Sequence, residues 1–311
     1  MKWAGIVKGI PEWGKAFLLA MGLLLVVHTF ILRWVTVHST SMYATLLPGD
    51  LVGVERWKLW GGLHRGDIAV FHDPVQDDRP MRQRQLLVKR IAAVPGDELE
   101  LRNGVLFING LEVPATMGET SRWTVRLRKG VQATGVLHAL GLPSDFVLPG
   151  HTVFDLPLNK ALAGRIGQLP GVEAVEPRGS TQRGQGNLFP FGPNYRWNND
   201  NYGPLRVPAK GDTVAVNTFT LPIYDRIISR YEHNAMAVSG GALRINGLAT
   251  DRYVVRQDYY FMLGDSRDFS SDSRYWGFVP AGHLVGCAGF VLLNARSFGQ
   301  DRVPGRIFKG L

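Results

Sequence analysis

Two serines, Ser39 and Ser41, are the first residues in this sequence whose types and spacing suggest chemistry. They lie in the stretch 39–46, which reads STSMYATL and follows a long apolar segment by only a few residues. A serine hydroxyl becomes a nucleophile only when a base takes its proton. The stretch is therefore either part of a hydrolytic site at a membrane surface or an ordinary polar linker where the chain leaves the membrane.

A candidate base is Lys89, which follows three apolar residues and precedes Arg90. On an alternating strand these two side chains point to opposite faces, so that one can face the core while the other is solvated. A neutral lysine amine can act as a base, and burial disfavours its ammonium form more strongly than a nearby positive charge does. We expect such a base to titrate well below about 10.4, the value of an unperturbed lysine. The alternative is a basic pair on the surface.

The sequence gives no support to metal or cofactor chemistry. It contains neither an H-E-x-x-H motif nor paired histidines at helical spacing, and Cys287 is its only cysteine. An intrachain disulfide and a cysteine-based zinc site are therefore excluded. A G-x-S-x-G motif is also missing from the sequence. No cofactor and no metal are expected, and a serine with a lysine as its base remains the chemistry that these residues permit.

The 311 residues carry a formal net charge of +9. This basic balance comes without a dense Lys/Arg tract and without a nucleic-acid signature, so a nucleic acid is not expected as a partner. An anionic phospholipid membrane is the simpler partner for such a charge.

The apolar segment predicts a retained transmembrane anchor over residues 16–36. Lys2, Lys8 and Lys15 precede the uncharged part of this segment, residues 16–32, and only Arg33 closely follows that part, so residues 1–15 should be cytoplasmic and the rest of the chain outside. A cleaved signal peptide is the competing interpretation. Cleavage after Ser39 or Ser41 would destroy the stretch described above.

Beyond the anchor, short apolar runs punctuated by Gly, Pro and Asp predict strands. Residues 104–111 and 241–248 resemble each other and predict two related hairpins with Asn-Gly turns. Helices are expected near 158–169 and 223–231, and a core strand at 284–293. Residues 37–113 and 206–311 form the expected core, and residues 114–205 an inserted elaboration of unknown role.

Four blocks carry a resemblance to a known family: residues 39–46, 65–71, 87–97 and 264–280. In this order, behind an amino-terminal anchor, they resemble the motif blocks of bacterial type I signal peptidase. Members of that family are membrane-anchored Ser/Lys endopeptidases that remove signal peptides. The block 264–280 follows the family pattern nearly throughout. The resemblance implies a mostly β fold with an antiparallel, barrel-like catalytic core, an inserted β-rich subdomain and one amino-terminal transmembrane helix.

The resemblance also implies a mechanism through an acyl-enzyme. Ser41 would be the nucleophile and Lys89 the general base. The Ser39 hydroxyl and the Ser41 backbone N–H would form the oxyanion hole, whose donors stabilise the charge that develops in the tetrahedral intermediate.

Three residues of the last block would support the site. Ser270 would hydrogen-bond and orient the Lys89 amine, and Asp272 with Arg274 would brace the loop. The alternative for these residues is a turn with a surface ion pair, which contributes little to stability. This chain departs from the family pattern at Ala44, where the family usually has proline.

The implied substrate is an extended signal peptide of an exported preprotein, with small side chains at the first and third positions before the cut. Met42, Leu87 and Val88 are candidates for lining the pockets that select those side chains, and core packing is the alternative. The peptide would add as a strand beside the sheet. The expected location is the bacterial cytoplasmic membrane, single-pass, with the catalytic domain outside and the secretion translocon as a further partner.

Two other functions remain open. One is a specialised Ser/Lys processing peptidase with few substrates, such as pilus subunits. The other is an inactive, membrane-tethered binding or assembly module that keeps the fold.

Overall fold

The computed structural model describes residues 11–144, 146–178, 188–239, 242–298 and 306–311. Five α-helices occur in these ranges, and they are α1 (Glu12–Val26), α2 (Thr134–Leu140), α3 (Lys160–Gly167), α4 (Leu221–Arg226) and α5 (Ser273–Trp276). Helix α3 agrees with the predicted helix at 158–169, and α4 with the π-helical turn Ile227–Tyr231 agrees with the one at 223–231.

Strands provide most of the regular structure in the described residues. In chain order they are β1 (Leu32–Thr36), β2 (Asp50–Glu55), β3 (Ile68–His72), β4 (Leu86–Ala93), β5 (Glu98–Arg102), β6 (Val105–Ile108), β7 (Leu111–Glu112), β8 (Ser121–Leu127), β9 (Val153–Leu158), β10 (Val172–Pro177), β11 (Tyr202–Arg206), β12 (Thr213–Ala215), β13 (Met236–Ser239), β14 (Ala242–Ile245), β15 (Leu248–Ala249), β16 (Arg252–Val254), β17 (Tyr259–Leu263), β18 (Val279–Pro280), β19 (Leu284–Asn294) and β20 (Lys309–Gly310).

The segment predicted as an anchor divides into a helix and a strand. Helix α1 ends at Val26, a π-helical turn follows, and β1 then pairs antiparallel with β2 from Leu32↔Glu55 to Thr36↔Leu51. The aromatic and β-branched residues of β1 favour a strand over a continued helix. Across the described part of the chain, no helix is both long and apolar enough to cross a membrane. Residues 1–10 of the predicted cytoplasmic amino terminus lie outside the described residues.

The main sheet has the strand order β1-β2-β19-β3-β4-β17-β18, with β20 added to β19. Its neighbouring strands all pair antiparallel. Strand β19, the predicted core strand, lies between β2 and β3, which come from the first quarter of the chain. This mostly antiparallel β architecture agrees with the expected fold class.

A second sheet corrects the boundary of the expected insertion. Its order is β11-β5-β6-β7, and β11 pairs with β5 through Tyr202↔Leu101 and Leu205↔Leu99. The residues of β11 before 206 therefore belong to the core rather than to the insertion. Residues 114–178, the inserted module, contain the sheet β10-β8-β9 with α2 and α3.

The two related hairpins predicted from the repeat are present. In the β6–β7 turn Asn109 and Gly110 have φ of 53° and 78°, and in the β14–β15 turn Asn246 and Gly247 have φ of 52° and 83°. Two successive positive φ values are what a two-residue hairpin turn with the twist of its strands requires, and Asn-Gly adopts them readily.

The inserted module has a hydrophobic core of its own, which Tyr43 and Leu47 from outside the module complete. Tyr43, from the stretch with the two serines, is 1% exposed and packs into this core. The fully buried module residues around it are Val125, Leu127, Leu137, Leu156, Leu158 and Ile166. The module is therefore attached to the serine-bearing stretch by apolar burial, the main stabilising contribution to folding.

Candidate active site

The stretch 39–46 forms a series of turns, held down by its apolar side chains. Met42 and Leu46 are 1% and 0% exposed and pack with residues of β2 and β3 such as Val54 and Val70. The Tyr43 N–H donates to Thr40 O at 3.0 Å, and the Leu46 N–H donates to Met42 O at 2.8 Å. This anchoring on both sides of Ser41 fixes the backbone that carries its hydroxyl.

Asp50 holds the far end of this stretch. It is fully buried and accepts a hydrogen bond from the Leu47 N–H at 2.8 Å and one from Asn294 Nδ2 at 2.7 Å. The Arg306 guanidinium forms an ion pair with the same carboxylate and also donates to Thr45 O at 3.1 Å. A buried carboxylate with these partners ties the stretch to β19 and to the carboxyl end of the chain.

The structure brings Ser41 and Lys89 together. Lys89 lies in the middle of β4, is 4% exposed, and its Nζ is in hydrogen-bond contact with Ser41 Oγ. Ser39 Oγ, at the solvent side, lies 3.1 Å from Ser41 Oγ. Within the described residues, no hydrogen bond is donated by the Ser41 backbone N–H. Two hydroxyls and an amine thus meet at one point.

The Lys89 amine has a strongly lowered pKa. Burial lowers this pKa from 10.5 to about 8, because the ammonium form loses its hydration. Asp272 acts in the opposite direction, as does Asp265, whereas the Arg274 guanidinium lowers the pKa further. A substantial fraction of Lys89 is therefore neutral near pH 8 and able to accept a proton from Ser41.

Ser270 lies beside the site without the hydrogen bond that was expected of it. It is 6% exposed, and among the described residues its Oγ has no hydrogen-bond partner. The expectation that Ser270 bonds the Lys89 amine is therefore wrong for this structure. The Lys89 amine can form further hydrogen bonds besides its contact with Ser41 Oγ, so the direction of the Ser270 side chain accounts for the missing bond.

Gly264 lies between Ser41 and Ser270, and no sequence pattern singles it out. A Cβ at this position would lie 2.6 Å from Ser41 O and would also overlap Ser270 Oγ. Only glycine allows the chain directly after β17 to approach the backbone of Ser41 this closely.

Asp272 and Arg274 form a buried ion pair rather than a surface one. They are 0% and 1% exposed, and Arg274 Nη2 lies 2.9 Å from Asp272 Oδ2. The same carboxylate oxygen accepts from the Gly264 N–H at 3.0 Å. Burial alone would raise the pKa of Asp272, but the Arg274 guanidinium and the hydrogen bonds lower it. The pair is ionised and braces the loop after β17, and breaking a buried pair of this kind costs about 3–5 kcal/mol.

Arg90, the neighbour of Lys89, is paired rather than solvated. Its guanidinium donates to both oxygens of Asp265, from Nε at 2.8 Å and from Nη2 at 2.7 Å. Asp265 also accepts from the Thr45 hydroxyl. The strand alternation correctly separates Lys89 from Arg90, but the partner of Arg90 lies 175 residues away, where no local pattern points to it.

Of the three candidate pocket residues, Met42 and Val88 pack on one cluster, and Leu87 packs on another. Met42 is buried inside the cluster beneath the serine-bearing stretch. Val88 is partly buried against the same cluster, whereas Leu87 packs on a different one with Phe71. Adjacent strand residues face opposite sides of a sheet, so Leu87 and Val88 cannot line one pocket. Core packing accounts for Met42.

Ala44 has a partner that proline could not have. Its N–H donates to Gly118 O in the inserted module at 3.1 Å. Proline has no N–H and would lose this hydrogen bond. The Tyr43–Ala44 peptide bond is cis.

Metal ligands are not grouped around this site. In the ranges that the structure describes, no three His, Cys, Asp or Glu side chains lie close enough to hold an ion. The chemistry available here is that of a hydroxyl, a buried amine and hydrogen-bond donors.

Comparison with known proteins gives consistent matches. A sequence profile of the family described as "Signal peptidase, peptidase S26" matches residues 10–145 and 205–293. Signal peptidase I P of Bacillus subtilis subsp. natto is 31% identical over 137 residues, which are 44% of this chain and 69% of that protein. Signal peptidase IB of Staphylococcus aureus (strain COL) is 32% identical over 139 residues, which are 44% of this chain and 66% of that protein.

Among solved structures, a signal peptidase I from Enterococcus faecalis V583 shares 17% identity with this chain. The match covers 73% of this chain and 96% of the Enterococcus chain. Its TM-score of 0.26 is too low for a comparison of the folds. Residues 146–204 lie outside the family match, and they include β9, α3 and β10 of the inserted module.

Proposed function

Because the chain belongs to the signal peptidase S26 family and is a peptidase, we propose that it removes signal peptides from exported preproteins with a Ser/Lys mechanism. The observation that carries the proposal is the contact between Ser41 Oγ and the buried Lys89 Nζ. The lowered pKa of Lys89 supports it, since a base must be neutral to accept a proton.

The proposed reaction has two halves. In the first, Ser41 Oγ attacks the scissile carbonyl carbon while its proton passes to Lys89 Nζ, and the ammonium then gives this proton to the departing amine. This leaves an ester between Ser41 and the signal peptide. In the second, water attacks the ester with Lys89 again taking a proton, and Ser41 is released with its proton restored.

The developing oxyanion needs hydrogen-bond donors that are already in place. The Ser39 hydroxyl and the backbone N–H of Ser41 are proposed for this role. Their support is the 3.1 Å separation of the two serine hydroxyls and the lack of another acceptor for the Ser41 N–H in the described residues. Loss of one such donor costs on the order of 10²–10³ in rate.

The substrate is proposed to bind as an extended strand along β4. Among the described residues, β17 pairs with β4 only from Arg90 to Ala93, so that residues 86–89 pair with β3 alone. On the edge of β4 that faces away from β3, the backbone groups of residues 86–89 are available to pair with a peptide. This part of β4 ends at Lys89. An extended signal peptide laid there would reach Ser41 with its scissile bond.

Membrane association is proposed through the amino-terminal segment. Helix α1 exposes large apolar side chains such as Phe17, Leu19 and Leu24 at 63%, 76% and 70%. Such a surface is suited to lipid rather than water, and the net charge of +9 favours anionic phospholipids. We place residues 16–36 at the bacterial cytoplasmic membrane, the catalytic core outside it, and the secretion translocon nearby as a source of substrate.

The direct test uses the purified full chain in detergent with a preprotein that carries a signal peptide. We expect one cut, with small residues at the first and third positions before it, identified by mass spectrometry of the mature amino terminus. A matched preprotein with a bulky residue at the first position should remain intact. Cleavage restricted to pilus-type precursors would favour a specialised processing peptidase. No cleavage of any preprotein would leave a tethered binding module.

The pH dependence follows from the lowered pKa of Lys89. The neutral amine is the reactive form, so kcat/KM should rise about tenfold per pH unit below pH 8 and level off above it. The measurement is kcat/KM for a peptide substrate between pH 6 and pH 10, with thermal unfolding followed in parallel. A rise in kcat/KM centred at pH of about 10.4, the pKa of an ordinary lysine, would contradict a buried base.

A further inference from the structure

One short segment of the inserted module, residues 118–121, lies between two loops of the catalytic core. One is the serine-bearing stretch 39–46, and the other follows β17 at residues 264–269. Thr120, which is 2% exposed, forms an isolated parallel β-bridge with Ser266. The segment is therefore part of the backbone hydrogen bonding around the site and does not merely pack against it.

Thr120 uses each of its polar groups to join the two loops. Its hydroxyl donates to Tyr43 O at 3.0 Å. Its N–H donates to Asp265 O at 2.8 Å, and its carbonyl accepts from the Arg267 N–H at 2.9 Å. All of these bonds are buried, and a buried hydrogen bond is costly to leave unmade.

The second loop bonds the nucleophile itself. The Ser266 N–H donates to Ser41 O at 3.1 Å. The Thr120 hydroxyl therefore bonds Tyr43, which lies two residues after Ser41 in the chain. The Thr120 backbone bonds the two neighbours of Ser266, and the Ser266 N–H donates to the Ser41 carbonyl. A shift of Thr120 must alter the distance between the two loops, and with it the direction of the Ser41 hydroxyl.

The module is firmly joined to the serine-bearing stretch at two further points. Tyr43 lies in the core of the module, and its hydroxyl donates to Leu140 O at 2.9 Å. The Ala44 N–H donates to Gly118 O at 3.1 Å. A third link runs from Glu119 to Arg267, which form an ion pair at 2.7 Å.

We propose that the inserted module is a positioning element of the peptidase, and that Thr120 is the residue through which it holds Ser41 in line with Lys89. The inference rests on the proposed function for its catalytic consequence. Thr120 does not touch the reacting atoms, and its effect passes through Tyr43 and Ser266.

The test is Thr120→Val, which removes the hydroxyl but keeps the branched shape and the backbone hydrogen bonds. We expect kcat for a signal-peptide substrate to fall roughly tenfold with KM within about twofold, since the loop shifts while the substrate strand is untouched. Thr120→Ser should restore most of the activity because it keeps the hydroxyl.

A matched control lies on β8, the strand that begins directly after Thr120. Thr124 donates its hydroxyl to Asp155 Oδ1 at 2.7 Å, a residue of β9 that belongs to neither loop. Thr124→Val should lower the melting temperature about as much as Thr120→Val and leave kcat unchanged. Equal kcat values for the two variants would overturn the inference.

Hydrogen exchange supplies a readout that does not depend on cleavage. In Thr120→Val the amides of Tyr43 and Ala44 should exchange faster, and in Thr124→Val they should not. Unchanged exchange in Thr120→Val overturns the positioning role whatever the activity. The wild-type chain and the Ser41→Ala variant are assayed beside Thr120→Val. If the wild type cleaves the substrate and Thr120→Val cleaves it equally well, only the positioning role of Thr120 is rejected. An inactive wild type rejects the proposed function.

Discussion

Replacing Ser41 with alanine, or Lys89 with methionine, is expected to lower peptide cleavage by at least about 10³-fold. Alanine removes the only atom proposed to attack the substrate. Methionine keeps most of the volume of the lysine stem but has no amine to accept the proton. The two losses should not add in the double variant, because the serine and the lysine act as one unit. The measurement is kcat/KM on a fluorogenic signal-peptide substrate.

The folded state should survive both changes. Lys89 is 4% exposed, and methionine removes the cost of burying an amine that can be charged. We therefore expect the free energy of unfolding of Lys89→Met to equal or exceed that of the wild type. Lys129→Met, at an exposed turn of the module, is the matched control and should be fully active. A Lys89→Met variant with near wild-type turnover would eliminate the lysine base.

Gly264→Ala is expected to lower kcat by about 10²-fold. Its Cβ would lie 2.6 Å from Ser41 O, closer than such atoms approach, and it would overlap Ser270 Oγ as well. The conflict with Ser41 is with backbone, so no rotamer change relieves it and the nucleophile must move. A displacement of about 1 Å at a reacting atom is enough for a loss of this size.

The control for this prediction is Gly164→Ala in α3, where an added Cβ meets nothing within 4 Å. This variant should be as active as the wild type and at least as stable, because alanine favours a helix. The catalytic loss in Gly264→Ala should exceed any loss of thermal stability. Turnover within a few-fold of wild type would mean that the close approach of Gly264 to Ser41 has no role in alignment.

Local patterns in the sequence predict several parts of this structure. Alternation along β4 predicts that Lys89 and Arg90 face opposite ways, and Lys89 is indeed the buried one. The Asn-Gly pairs predict their hairpin turns because few other residues accept two positive φ values in succession. Each of these features depends on a few neighbouring residues, which is why sequence alone suffices.

The remaining parts depend on distant residues. The role of the inserted module follows from contacts such as that between Thr120 and Tyr43, which are 77 positions apart. No periodicity or motif signals such a pairing. The strand β1 was missed because its apolar residues suit a membrane helix as well as a strand, and pairing with β2 decides between the two.

The position of Ser270 shows a different limit. A motif resemblance assigns a residue to a site but does not fix the direction of its hydroxyl. The structure puts Ser270 beside the site as expected and leaves its hydrogen-bonding capacity unused. The direction of a buried side chain arises from packing rather than from residue type.

The place of β19 has a consequence for the order of events during synthesis. This strand, Leu284–Asn294, inserts between β2 and β3, so the sheet that supports both Ser41 and Lys89 stays open until residues 284–294 have left the ribosome. Long-range pairing of this kind also folds slowly. A nascent chain shorter than this therefore holds Ser41 and Lys89 on an incomplete sheet, and we expect it to be proteolytically inactive until β19 has been synthesised and paired.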